Sequence, residues 1–504
     1  MGFRNLVRDE AQLDEVADLL AKQIKDTHED VVSRYTRVVF DTVTFLGETS
    51  SISCYSKSNV NKEIMQKGVY SQTAVADLLP HNIDEIGVAR DIKEVRFNFE
   101  PKNIPLPTEE NFYVEKIPYG IEMFDEEFRE FTKDNKDTMV SRSLEVEQRI
   151  IVNSRGGKVV QTVPFFLIGF RCGYQPIPTS RDISLVCNSE RDIKNMVNSI
   201  KFLPDPTPDR RIKKSKTFSE AFQELSKISR KLKFGNLQKA GLKLKGLYDV
   251  IVITGVPFHE IFGHQFEEPI RMLEFGESAT FRYGQNVNEK IIFKDDPSQT
   301  VNGLKVQGFT YVDPYGRKRE PRIHIENGKV KEFLGSEYVD SEKFKDYLGL
   351  EKSEFVGNAS QYIDGAFPQP RMSCTFLDGT KESIDWEGKI VVVPNEGSTD
   401  TRTKNYEVKS SECYVIKDGE PKRVNPLKVS GGINQAFENL HVLDDVTYQI
   451  GMCEKLNPVY NSIYNPEPLI AQNPVSQLAR SQLWENQQVY SRPISEPHLQ
   501  ILIH

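Results

Sequence analysis

The residues best suited to chemistry lie in the stretch 252–268, VITGVPFHEIFGHQFEE, which sets His259 and His264 beside Glu260, Glu267 and Glu268. Only eight histidines occur in 504 residues, so two of them within six positions, the first adjoined by an acid, are a local concentration of metal-ligating types. Neutral imidazoles can hold a divalent metal, which lowers the pKa of its bound water toward about 7. Glu260, next to the first histidine, is placed to take a proton from such a water and deliver it to the leaving amine of a peptide, as a general base must. Glu267, three residues past His264, is either a third ligand or the acceptor of an imidazole N–H, and spacing alone leaves both roles open.

The spacing itself makes a structural demand. In the zinc-peptidase signature HExxH the histidines stand at i and i+4 and share one helix face. Here the pattern is HExxxH, and five steps of about 100° leave the two side chains about 140° apart on a regular helix, too far round to chelate one ion. A π-bulge lets i and i+5 share a face, so an irregularity is predicted between Ile261 and His264, with Gly263 easing the distortion. The bland alternative is a regular helix whose two histidines hydrogen-bond locally and hold no metal.

HEIFGHQFE, together with PQPRMSCT at residues 368–375, resembles the TldD/PmbA metallopeptidase family, on the TldD side that keeps the metal motif. The likeness runs through most of the C-terminal half and is weak before it. It implies zinc as the metal and a cysteine close to the C-terminus as the third ligand; the matching stretch YQIGMCEK nominates Cys453. Family members usually carry glycine after the acid of the motif and a small residue after the cysteine, where this chain has Glu268 and Glu454. The resemblance further implies a site enclosed in a dimer, either a homodimer or a pair with a PmbA-like paralogue lacking the motif. Its substrates would be short or unfolded peptides. An extended peptide would pair with an exposed sheet edge, for which the hairpin at His324 and the stretch around Arg371 are the candidates.

Three ligands leave a fourth position open, as catalysis requires, and a His/His/Cys set suits zinc best. The rival reading is a non-catalytic scaffold or partner subunit whose zinc, closed by a fourth protein ligand, only fixes the fold. Cys374 and Cys413 are rival soft ligands, but each sits in a strand-like stretch where a core position is expected. His441 is the alternative fourth ligand. His324, between Ile323 and Ile325, reads as an exposed strand position.

Composition bounds the remaining classes. Net charge is −8, with 65 basic against 73 acidic side chains, which disfavours nucleic-acid binding by the chain as a whole. Residues 210–245 are locally basic, yet groove-reading motifs and interleaved stacking aromatics are missing, so this stretch reads as a solvated helix face with an apolar seam. The six cysteines are scattered without CxxC pairs, the pattern of reduced thiols in a cytoplasmic protein. No apolar run reaches the about 18 residues of a membrane span. There is no GxSxG elbow, no phosphate-binding loop and no GxGxxG after a strand.

The elements that must position the motif follow from periodicity. Residues 1–205 read as an α+β domain on an antiparallel sheet. It contains an amphipathic helix over 9–25, strands over 34–56 turning at Gly47, a helix over 120–135, and a hairpin over 149–174 closed at Gly156 and Gly157. Residues 206–246 read as a Pro-rich linker and a basic amphipathic helix opened by Thr217 and Glu220. Residues 247–504 read as a metallopeptidase domain that is mainly antiparallel β, barrel-like or sandwich. A strand over 247–254 leads into the motif, a late helix spans 434–440, and hairpin turns are signalled at 313–316, 327–328, 378–379, 387–388 and 418–419.

Overall fold

The computed structural model describes residues 3–25, 30–64, 69–75, 91–94, 105–172, 179–196, 217–230, 250–253, 258–335, 341–350, 357–360, 368–456 and 470–486, a few isolated positions within these excepted. Helix α1, Glu10–Ile24, begins where Asp9 accepts the Gln12 N–H at 2.9 Å and Gln12 returns its side-chain oxygen to the Asp9 N–H at 3.0 Å. This capping box satisfies end groups that the helix itself cannot. The apolar stripe Leu13, Val16, Ala17, Leu20 and Ile24 is buried against Val31, Tyr35, Ile150 and Val160 of the sheet beneath it.

That sheet is built from β1 (Val31–Leu46), β2 (Thr49–Ile64), β3 (Val69–Val75), β4 (Asp91–Glu94), β5 (Glu110–Val114), β6 (Thr138–Asn153), β7 (Lys158–Cys172) and β8 (Thr179–Val186). Its order is β4-β3-β2-β1-β6-β7-β5, with β8 also on β7. The β1–β2 hairpin turns through Gly47 at φ +59°, and β6–β7 through Gly156 at φ +91°, both left-handed positions open to glycine. Helix α2, Asp125–Asp134, and the helix Phe218–Arg230 pack Phe128, Phe131, Phe218 and Phe222 together over Phe170. Thr217 caps the second of these by accepting the Glu220 N–H at 3.1 Å. The rest of the expected linker 206–246 lies outside the described residues, so the basic stretch is described only within this helix.

The second sheet is larger. It runs from the hairpin Arg322–Glu326/Lys329–Val330 through β10 (Ile291–Asp295), Cys374–Gly379, Ile470–Asn486, β9 (Val250–Ile253), Ile390–Val393 and Glu412–Lys417 to Glu420–Arg423, while Leu440–Leu456 pairs with Ile470–Asn486 off this path. Two of its pairings are parallel, β9 with Ile390–Val393 and Cys374–Gly379 with Ile470–Asn486; the others are antiparallel. A three-stranded sheet, Glu396–Asp400, Asn405–Ser410 and Leu427–Gly432, and a short helix, Ile433–Glu438, complete the frame. The fold is α+β with predominantly antiparallel sheets, as the pattern predicts. Among the described residues no sheet closes into a barrel.

Turn chemistry holds at Asn327-Gly328 and Asp418-Gly419, both pairs with positive φ as a two-residue hairpin loop demands. It fails at Asp378-Gly379, which belongs to a strand. A Cβ on Gly379 would lie 2.0 Å from the Lys290 carbonyl oxygen, so close approach of the neighbouring chain accounts for the glycine. The two sheets share packing. Leu304, Val306 and Cys374 enter the same apolar cluster as Phe166 and Leu185, and β1 Arg34 pairs with Glu63 at 2.6 Å beneath Tyr315. No helix among the described residues is long and apolar enough to cross a membrane.

Candidate metal centre

Strand β9 ends six residues before His259, and the motif is wedged by its own aromatics. Phe258 packs on Phe293, and Phe262 on Phe437, all buried in the largest apolar cluster. His259–Gly263 then forms a π-helical turn, and the His264 N–H donates to the His259 carbonyl five residues back before an α-helical turn resumes at His264–Glu267. The wide turn brings the imidazoles onto one side, with centroids 5.1 Å apart and planes at 89°. Gly263 itself has ordinary helical angles, φ −66° and ψ −43°. Its requirement is therefore steric rather than torsional: a Cβ there would stand 2.5 Å from His259 Nδ1.

The π turn converges three groups. His259, His264 and Glu267 offer ligand atoms all within 4.8 Å of one another, and all three residues are buried. His259 Nδ1 lies 2.8 Å from Thr375 Oγ1, and that hydroxyl donates in turn to Met372 Sδ at 3.3 Å. In the tautomer whose Nδ1–H donates to the Thr375 hydroxyl, the Nε2 lone pair faces the cluster. His259 Nε2 is 3.3 Å from Glu267 Oε2. Ligand atoms at about 2.0–2.1 Å from a tetrahedral zinc stand about 3.3–3.4 Å apart, so the pair fits two corners of such a site.

The carboxylates divide by environment. Glu267 is 0 % exposed, bound by the Arg371 guanidinium at 3.1 Å and by the Met372 N–H at 3.2 Å. Glu268 is 2 % exposed, with Oε1 3.8 Å from His264 Nδ1. Glu260 is 20 % exposed, and its Oε2 lies 3.5 Å from His264 Nε2. It is the only one of the three acids that both faces the cluster and reaches solvent, which a base acting on water needs. Its backbone is held by the Thr399 hydroxyl, which donates to the Glu260 carbonyl at 2.7 Å.

Cys453 lies on the strand Leu440–Leu456, opposite Asn473, and its side chain is outside the described residues. Cys374 and Cys413 are buried core thiols. His441 is drawn to Glu382, which also binds Lys290, instead of joining the two motif histidines. His324 corrects an expectation: it is fully buried, not exposed, stacked on Phe266 at 4.9 Å with Nδ1 2.9 Å from the Glu332 carbonyl. Burial pushes its pKa down to about 4. Its strand lies one in from the edge of the sheet, which the other strand of the hairpin, Lys329–Val330, forms. Arg371 is buried as well, with its guanidinium 3.1 Å from Glu267.

Two contributors had no signal in the motif. Thr375 sits in the run PQPRMSCT, which family resemblance alone had marked. Asp295 ends β10 and accepts from Ser373 N at 2.8 Å, Cys374 N at 2.8 Å and Ser373 Oγ at 3.1 Å through one oxygen. Burial raises its pKa to about 6 against the opposing pull of Arg319 and these donors.

Comparison with known proteins yields one family match and several likenesses of fold. Residues 249–476 match the family model of the PmbA/TldA metallopeptidase C-terminal domain, a span that holds HExxxH, the 368–375 run and Cys453. No curated protein matches the chain. Among solved structures, TldE from Thermococcus kodakarensis is similar over 95% of this chain and 99% of its own, at 13% identity and TM-score 0.59. A protein described as a candidate modulator of DNA gyrase from Thermotoga maritima covers 94% and 100% at 16% identity and TM-score 0.54. Another so described, from Bacteroides thetaiotaomicron, covers 95% and 98% at 12% identity and TM-score 0.54. At such identities the likeness is one of fold. The family match is confined to residues 249–476, the C-terminal part of the chain.

Proposed function

We propose that the chain is a zinc-dependent peptidase acting on short or unfolded peptides, with His259 and His264 holding the metal and Glu260 as general base. The observation that carries this reading is the convergence of His259, His264 and Glu267 within 4.8 Å on a π turn that HExxxH spacing requires, with Glu260 as the partly exposed acid beside them. When bound, the metal supplies Lewis-acid activation of water and of the scissile carbonyl. Glu260 takes up the proton released and returns it to the departing amine. Thr375 holds the His259 ring through Nδ1, keeping Nε2 turned to the cluster. Arg371 neutralises Glu267, which suits that carboxylate to holding an imidazole or the metal and unsuits it to proton transfer.

The third ligand is Cys453, as the family resemblance implies, while Thr375 supports His259 from behind through Nδ1 and Glu267 lies on the Nε2 side. Should Glu267 and Cys453 both coordinate, four protein ligands would close the metal and the centre would be a structural one; Glu267 lying inside the cluster is what favours weighing that scaffold reading. The enclosure of the site by a dimer, homomeric or with a PmbA-like paralogue, belongs to the same proposal.

The test is zinc stoichiometry and peptide hydrolysis on wild type, Glu260→Gln, His264→Ala and Cys453→Ala. About one zinc per chain, kept in Glu260→Gln while hydrolysis drops about 10²–10⁴-fold, is the expected result. Zinc retained with hydrolysis unaltered by Glu260→Gln would leave the scaffold standing. Wild type without zinc when prepared free of chelators would end the peptidase reading.

A further inference from the structure

We infer that Asp295, remote in sequence from the motif, is a positioning residue for the metal centre, acting through the five-residue strap 371–375; this rests on the metal-binding reading above. The strap is gripped from two sides. Arg371 and the Met372 N–H reach Glu267, and Thr375 Oγ1 reaches His259 Nδ1. Between them, the N–H groups of Ser373 and Cys374 and the Ser373 hydroxyl converge on Oδ1 of Asp295. Two members of the candidate centre are thus oriented by the ends of one strap whose middle is pinned to one carboxylate oxygen.

The sheet explains why an acid serves here. β10 pairs with Cys374–Gly379 in a register that sets Asp295 opposite Thr375, the last pair of the ladder at that end of β10. The Asp296 N–H donates to the Cys374 carbonyl at 3.0 Å, and the Asp295 side chain takes the Ser373 and Cys374 N–H groups that the ladder does not use. Buried N–H groups must find acceptors, and an ionised or amide oxygen aimed between two successive N–H groups fixes both peptide planes at once. Shortening this side chain frees the strap. The misplacement then appears at Thr375 and Met372, so that both the His259 ring and the Glu267 carboxylate lose their fixed aim. Asn, which keeps an oxygen at the same place, preserves the arrangement; Glu moves the oxygen by one methylene and does not.

The experiment compares Asp295→Ala, Asp295→Asn and Asp295→Glu with wild type by zinc affinity, measured by chelator competition, and by the unfolding midpoint of the zinc-free protein. Loss of zinc affinity by about 10-fold or more in Asp295→Ala, with recovery to near the wild-type value in Asp295→Asn, is the expected pattern. Should Asp295→Ala fail to fold, Asp295→Glu carries the same expectation against Asp295→Asn. A lowered midpoint with unchanged zinc affinity in the folded variants would overturn the inference, because Asp295 would then only stabilise the sheet. Wild type that binds no zinc would instead sink the peptidase reading itself, a result distinct from variants that bind as wild type does.

Discussion

The His259 imidazole occupies the space that a side chain on Gly263 would need, with Nδ1 at 2.5 Å and Cε1 at 3.0 Å from where a Cβ would stand. The ring is not free to retreat, because the same Nδ1 is bonded to Thr375 Oγ1 at 2.8 Å. On an ordinary helix position Gly→Ala stabilises by about 0.5–1 kcal/mol. Here the clash outweighs that gain, since overpacking a filled interior costs about 1–3 kcal/mol. Gly263→Ala should therefore lower the unfolding midpoint and weaken zinc binding by about 10-fold or more as His259 is pushed off its aim. Melting curves with and without zinc read both effects; a more stable variant with undiminished zinc affinity would show that the ring yields without consequence.

A pH effect follows from the buried His324. Its pKa is near 4 in the folded chain against 6.5 ordinarily, because burial disfavours the cation. Between those values the unfolded chain binds more protons than the folded one. Stability from this group is thus complete above pH 6.5 and lost progressively as pH falls toward 4, on the order of 3 kcal/mol in all. Asp295, with its pKa raised to about 6, acts in the opposite sense: its contribution is present at low pH and declines as pH rises toward 6. The two partly cancel in wild type, so the difference between wild type and His324→Asn is the informative quantity. Asn keeps a donor for the Glu332 carbonyl where Nδ1 stood and does not titrate. Chemical denaturation across pH 4–7 should show His324→Asn losing less stability on acidification than wild type; parallel curves would mean that His324 is not held neutral by burial.

What the chain discloses before folding is what depends on neighbours in sequence. The five-residue interval from His259 to His264 demanded a π turn, and one is there because no other local geometry lets the rings converge. Asp9 with Gln12, and Thr217 with Glu220, announced helix starts because a cap is a contact over three residues. Asn327-Gly328 and Asp418-Gly419 declared hairpins through their need for positive φ. His324 misled, since alternation with Ile323 and Ile325 implies one covered face, whereas Phe266 brings cover to the other. The strap 371–375 was visible only through family resemblance. Its work is done across 104 residues to Glu267 and 116 to His259, and no period or spacing encodes such a meeting.

The buried pair Arg371–Glu267 yields the last prediction. Both side chains are at most 1 % exposed and sit 3.1 Å apart. Removing one partner of such a pair strands the other's charge in the interior, at a cost of about 3–5 kcal/mol. Arg371→Met, which roughly conserves the apolar stem, should therefore destabilise the zinc-free protein by that order. A divalent cation beside Glu267 offsets the same negative charge that Arg371 offsets, so zinc should recover more stability in the variant than it adds to wild type. The measurement is the shift of unfolding midpoint with zinc concentration in both proteins, since a ligand that binds only the folded state raises stability as its concentration exceeds Kd. A larger zinc-dependent shift in Arg371→Met places the metal within reach of the Glu267 carboxylate. An equal shift in both would separate Glu267 from the metal electrostatically and leave Arg371 a support of the fold alone.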